Sequence, residues 1–174
     1  GDSKPVELGQ NPSLEDSFKP ISPAHERARD TIDETLDAFA NGDDYQSPAI
    51  RGPFRTGKPA LGYHSYKTAW QQDLPAVYVE AAALLDEFED SSSDTLETWV
   101  LNRTREEIEA ITSRDFDKVE WMPTGTESEA ARREWISENI PTGIESDRYV
   151  LIIDEVEQEY EDFLTAAGVD DDNP

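Results

Sequence analysis

Forty Asp and Glu residues stand against fifteen Lys and Arg, so this chain of 174 residues carries a formal net charge of −25. Any fold it adopts has to accommodate that repulsion. High charge with low hydrophobicity keeps many chains from collapsing at all. Here, however, the apolar residues recur at helical spacing. Ala28, Ile32, Leu36 and Phe39 form one stripe, and Leu96, Trp99, Val100, Ile108 and Ile111 form another. Such stripes let each segment bury one face and leave its carboxylates in water. The sequence therefore predicts a folded, mainly α protein: a small bundle of about five helices, with few or no strands. A chain of this length suits one domain and can bury enough apolar surface without staples.

Local signals place the elements. Residues 1–21 read as an extended N-terminal arm, with Pro5, Pro12 and Pro20 between single apolar anchors at Val6, Leu8, Leu14 and Phe18. The helical domain spans residues 22–168. Ser22-Pro23 opens helix one and Asn41-Gly42 closes it. A long basic loop follows over 43–66, longer than a passive link needs to be. A second helix is predicted from Leu74 to Glu89, capped by Asp73, with Leu74, Val77, Tyr78, Ala81, Leu85 and Phe88 as its core face. Asp94, with Glu97 three residues on, caps a third helix, and Thr126 with Glu129 caps a fourth that ends near Asn139. Residues 114–123, where Val119 and Trp121 alternate with charge, read as a short strand or an irregular loop. Ser146 is expected to cap the longest helix, about 147–167, with Tyr149, Val150, Ile153, Val156, Tyr160, Phe163 and Leu164 on one face and Gly168 as its stop. Residues 169–174 form an acidic tail.

Several classes of chemistry fall away. Without cysteine there are no disulfides, thiolate nucleophiles or cysteine zinc sites. No apolar run approaches 18 residues, so no transmembrane helix is expected. The polar stretch Gly1–Lys19 lacks the apolar segment of a secretion signal. Gly52, Gly57 and Lys58 match the spacing of a phosphate-binding loop, but Pro59 replaces the metal-holding hydroxyl, no apolar strand precedes, and Gly62 stands where a helix should begin. His25 and His64 have no spaced partner. The carboxylate runs Asp86, Glu89, Asp90 and Asp154–Asp162 lie mostly opposite apolar stripes and read as solvated faces, with at most loose potassium or sodium binding. Di-iron bundles need Glu-x-x-His pairs, and there are none. The expectation is a protein without catalytic residues, cofactor or metal.

One stretch breaks the acidic pattern. Ile50–Lys67 holds Arg51, Arg55, Lys58 and Lys67 and no Asp or Glu. Nucleic acid is a poor partner for it. With about four phosphate contacts, affinity falls as roughly the 3.6 power of salt, on the order of a thousandfold from 0.2 M to 2 M. A protein partner fits better. Arg51 and Arg55 suit bidentate pairing with carboxylates on an equally acidic neighbour, and Phe54, Tyr63 and Tyr66 suit an interface core. The expected partner-binding set is Arg51, Phe54, Arg55, Lys58, Tyr63, Tyr66 and Lys67. The alternative is that these aromatics fold back on the bundle itself.

The dispersed acidity resembles that of proteins from salt-in halophiles, especially haloarchaea, in which molar salt screens self-repulsion over about 3 Å. In layout, a helical bundle with an arm and a long contact loop is similar to the head–tail adaptor (connector) proteins of tailed viruses. That resemblance is architectural and carries over no residue. It implies a non-enzymatic subunit of a virion, forming a homo-oligomeric ring and docking on a portal-like neighbour. A cytoplasmic interaction or regulatory protein of a halophilic host is the other reading.

Overall fold

The computed structural model describes residues 5–6, 17–18, 23–42, 58–93, 95–143, 148–155, 159–166 and 168. Among these the protein is mainly helical, as the apolar spacing predicts, with six α-helices. Its centre is a parallel pair of strands that the spacing does not predict.

Helix α1 (Pro23–Asn41) buries Ile32 and Leu36. It stops at Gly42, whose φ of 78° is the left-handed conformation glycine adopts without penalty. The Arg148 guanidinium donates to the freed carbonyls of Phe39, at 2.6 Å, and Ala40. A cation at a helix C-terminus also meets the negative end of the macrodipole.

Helix α2 (Lys58–Gln71) takes in residues 58–66, the last part of the expected loop 43–66, whose earlier part lies outside the described residues. Pro59 is tolerated in its first turn, where backbone N–H groups have no helical partner. It packs beside α1, and His64 Nε2 meets Asp33 Oδ1 at 2.7 Å across that contact. The helix ends with Asp73 at φ 60°, and Leu74 N–H returns to the Ala69 carbonyl. Asp73 thus terminates α2; it does not cap a following helix.

Pro75 then leads into strand β3 (Ala76–Glu80), and α3 (Ala81–Asp90) begins at the next residue. The predicted helix 74–89 is therefore a strand followed by a helix. α4 (Leu96–Thr112) is capped by Thr95, whose side chain accepts from Thr98 N–H, one residue after the expected Asp94. A 3₁₀ turn (Phe116–Lys118) and an irregular segment lead to α5 (Glu129–Asn139), capped by Ser128, not Thr126. The predicted long last helix is strand β4 (Val150–Asp154) followed by the short α6 (Tyr160–Ala166).

β3 and β4 pair in parallel, with Ala76 opposite Val150 and Glu80 opposite Asp154. Ala76, Val77, Tyr78 and Val79 are all buried, so successive side chains on both faces of β3 are covered. α2 packs on both strands, and α3 and α4 pack on β3. Tyr66, Trp70, Leu84, Ile111, Trp121, Ile136 and Ile140 complete the core. In the N-terminal arm, strand β1 (Pro5–Val6) pairs in parallel with strand β2 (Ser17–Phe18). The acidic tail lies outside the described residues. No described helix is long and apolar enough to cross a membrane.

Candidate functional site

The two parallel strands end side by side in carboxylates. Crevices beyond the carboxyl ends of parallel strands are where such sheets bind ligands. Here that position holds an open cleft of about 830 Å³. Its walls come from five elements of the chain. Tyr63 of α2 and Tyr78 of β3 meet edge to face, with ring centroids 5.4 Å apart. Asp86 and Glu87 project from α3, and Asp154 and Glu155 close the end of β4. Glu120, Trp121 and Met122, with Thr124–Thr126, form the remaining wall.

Some of the acidic wall residues are held in place. Asp154 accepts a 2.5 Å hydrogen bond from the Tyr78 hydroxyl on one oxygen and the Glu155 N–H on the other. Glu155 has φ 60°, a conformation costing a non-glycine residue about 1–2 kcal/mol, so the chain turns sharply as it leaves the strand. Gly62 of α2 lies against the same Tyr78 ring, where an added Cβ would come within 2.7 Å of Cε2. This close approach explains a glycine inside a helix.

The Trp121 wall is fixed from behind. Trp121 O accepts from Tyr78 N–H, which ties the irregular segment to the edge of β3. Glu107 of α4 is fully buried, and its carboxylate accepts from the backbone N–H groups of Glu120 and Trp121. Arg103, one helical turn before it, donates to Glu107 at 2.7 Å, to Glu87 at 2.9 Å and to Glu120 at 3.2 Å. Its guanidinium also lies 4.6 Å from the centroid of the Trp121 ring. Burial opposes the charge on Arg103, but its hydrogen bond to Glu87 and the charge of Glu107 outweigh burial and raise its pKa. Glu87 in turn accepts from Trp121 Nε1.

Of the seven residues expected to bind a partner, Arg51, Phe54 and Arg55 lie outside the described residues. Lys58 begins α2. Tyr63 is 7% exposed and forms cleft wall, and Tyr66 is fully buried against Trp70 and Trp135. Lys67 is half-buried on α2. Tyr63 and Tyr66 are thus corrected from loop anchors to packed helix residues. A helix does begin at Lys58, contrary to the expectation from Gly62. Pro59 still offers no hydroxyl where a phosphate loop needs one. Among the described residues no group of three His, Cys, Asp or Glu is arranged to hold a metal. The cleft residues Tyr78, Glu80, Trp121 and Asp154 were missed, although AVYVE and VLIID are short apolar runs of the kind buried strands show.

No family model, curated protein or solved structure matches this chain.

Burial raises the phenols of Tyr63, Tyr66 and Tyr78 above their ordinary value, and for Tyr78 the Asp154 carboxylate adds to it. An unfolded tyrosine ionises near pH 10, whereas these stay protonated in the fold. The stability they confer is therefore intact below that pH and lost above it. From pH 10 to 11 each tyrosine removes about 1 kcal/mol, and the three together about 3. Urea unfolding in high salt should show this decline between about pH 10 and 11. A flat profile would mean that these phenols reach water.

Proposed function

We propose that the protein is a non-enzymatic assembly subunit of a halophilic system, serving in a virion as a head–tail adaptor that docks on neighbouring subunits. The observation that carries this reading is the cleft, an open, acidic and aromatic recess whose shape is set by the chain's own buried network. The Glu107–Arg103 cluster fixes the Trp121 wall, and Asp154 with Tyr78 fixes the strand ends. A preformed surface of this kind lowers the cost of ordering groups on binding. Aromatic and carboxylate side chains side by side suit a protein segment that brings both cations and apolar bulk. The sequence supplies such a segment in its acid-free stretch.

Sedimentation in about 2 M KCl, where screening is complete within a few ångströms, tests the assembly reading. The expected result is a discrete oligomer, seen as a closed ring by electron microscopy. Head-to-tail contacts whose rotation closes give rings, whereas a two-fold contact gives a dimer. A folded monomer at all concentrations removes the assembly reading, and a two-fold dimer removes the adaptor.

A further inference from the structure

On the reading that the protein assembles, we infer that the cleft at the carboxyl ends of β3 and β4 receives the basic stretch 50–58 of a second copy. Three observations converge on this pairing.

First, charge in the cleft is unevenly neutralised. Arg103 serves Glu87 and Glu120 at one side. Glu80 and Asp86 are exposed and make no ion pair among the described residues. Second, this chain already seats one guanidinium on carboxylates and an aromatic face: Arg103, behind the wall, lies over the Trp121 ring and pairs with Glu87, and the carboxylates left open on the cleft side are Glu80 and Asp86. Third, a cleft of about 830 Å³ is the size of a site for a multi-atom ligand, not a single ion. The stretch Ile50–Lys58 offers two arginines flanking Phe54, with Lys58 beyond, and no carboxylate.

The contact is head to tail: stretch of one copy, cleft of the next. Two charge-reversed variants separate the halves. Glu80→Arg with Asp86→Arg alters the cleft, and Arg51→Glu with Arg55→Glu alters the stretch. Helicity at about 2 M KCl checks that each still folds. Each alone is expected to weaken self-association about 30-fold or more, the scale for a desolvated charge pair losing its partner. Mixed, they should assemble by alternation, since the intact stretch of one meets the intact cleft of the other and the reversed stretch meets the reversed cleft. All four changes in one chain should restore assembly. Should a folded cleft variant assemble like the unmodified protein, or a mixture of the two fail to pair, the inference is overturned while assembly stands. A folded unmodified protein that stays monomeric overturns the assembly reading itself. If the cleft variant fails to fold, a synthetic peptide of residues 50–58 added to the unmodified protein decides the matter. Inhibition of assembly supports the pairing and no inhibition overturns it.

Discussion

Replacing Glu107 with Ala is expected to destabilise the protein by about 3–5 kcal/mol, the scale for removing one partner from a buried ion pair. The change strips Arg103 of its shortest ion pair and leaves the backbone N–H groups of Glu120 and Trp121 without the acceptor they share. Glu107→Gln should cost less, about 1–3 kcal/mol, because an amide oxygen still accepts one of those N–H bonds. Urea unfolding in high salt, followed by tryptophan fluorescence, measures both. The direction matters as much as the size. In a chain of net charge −25, deleting an exposed carboxylate relieves repulsion. Glu106 and Glu109, exposed on the same helix, are the controls, and their glutamine variants should be neutral or stabilised at low salt. A loss below about 1 kcal/mol for Glu107→Ala would mean the Trp121 wall is held by packing alone.

Helices α1, α4 and α5 were legible because their signals are local: a proline or capping residue at the start, an apolar stripe in α1 and α4, and glycine or proline just past the end of α1 and α5. The sheet was not. Leu74, Val77, Tyr78, Ala81, Leu85 and Phe88 satisfy a helical period, yet the first part of that set belongs to a strand. Both faces of β3 are buried, so its residues are apolar without alternating, and such a run fits either period. The arbitrating signal was β-branched and aromatic enrichment between Pro75 and Glu80. Val150 to Ile153 carries the same signal, but its partners are Ala76 to Val79, far back in the chain, where no local spacing can reveal the pairing. α2 was hidden for a different reason. Its glycine and proline read as loop, and its lack of acid reads as an interface. Gly62 is there because the Tyr78 ring leaves no room for a Cβ, and Leu61, Tyr63, Tyr66 and Trp70 are acid-free neighbours because that helix lies in the core. The cleft follows from the sheet. Asp154 looks like a member of a solvated run until the parallel register sets it opposite Glu80.

That juxtaposition makes the second large expectation specific. Helical signal in circular dichroism should be intact in about 2 M KCl and largely lost near 50 mM, because the Debye length grows from a few ångströms to over 10 Å. At low salt the carboxylates of Glu80, Asp86, Glu120, Asp154 and Glu155 around one cleft repel across distances that molar salt screens. The strand ends are then the weakest place, and β4, half-buried throughout, is the strand expected to detach first. Hydrogen exchange at Leu151–Ile153 should accelerate before exchange in α4, whose Glu107 is fully buried and held by two backbone N–H groups. The shape of the salt curve separates two causes. Screening saturates, so the midpoint of thermal unfolding should climb steeply over the first few hundred millimolar and then level off. Strengthened apolar burial by excluded salts would keep rising with concentration, and more steeply in sulfate than in chloride. Equal stability at 50 mM and 2 M would remove the halophilic reading and with it the account of why this chain tolerates so much acid.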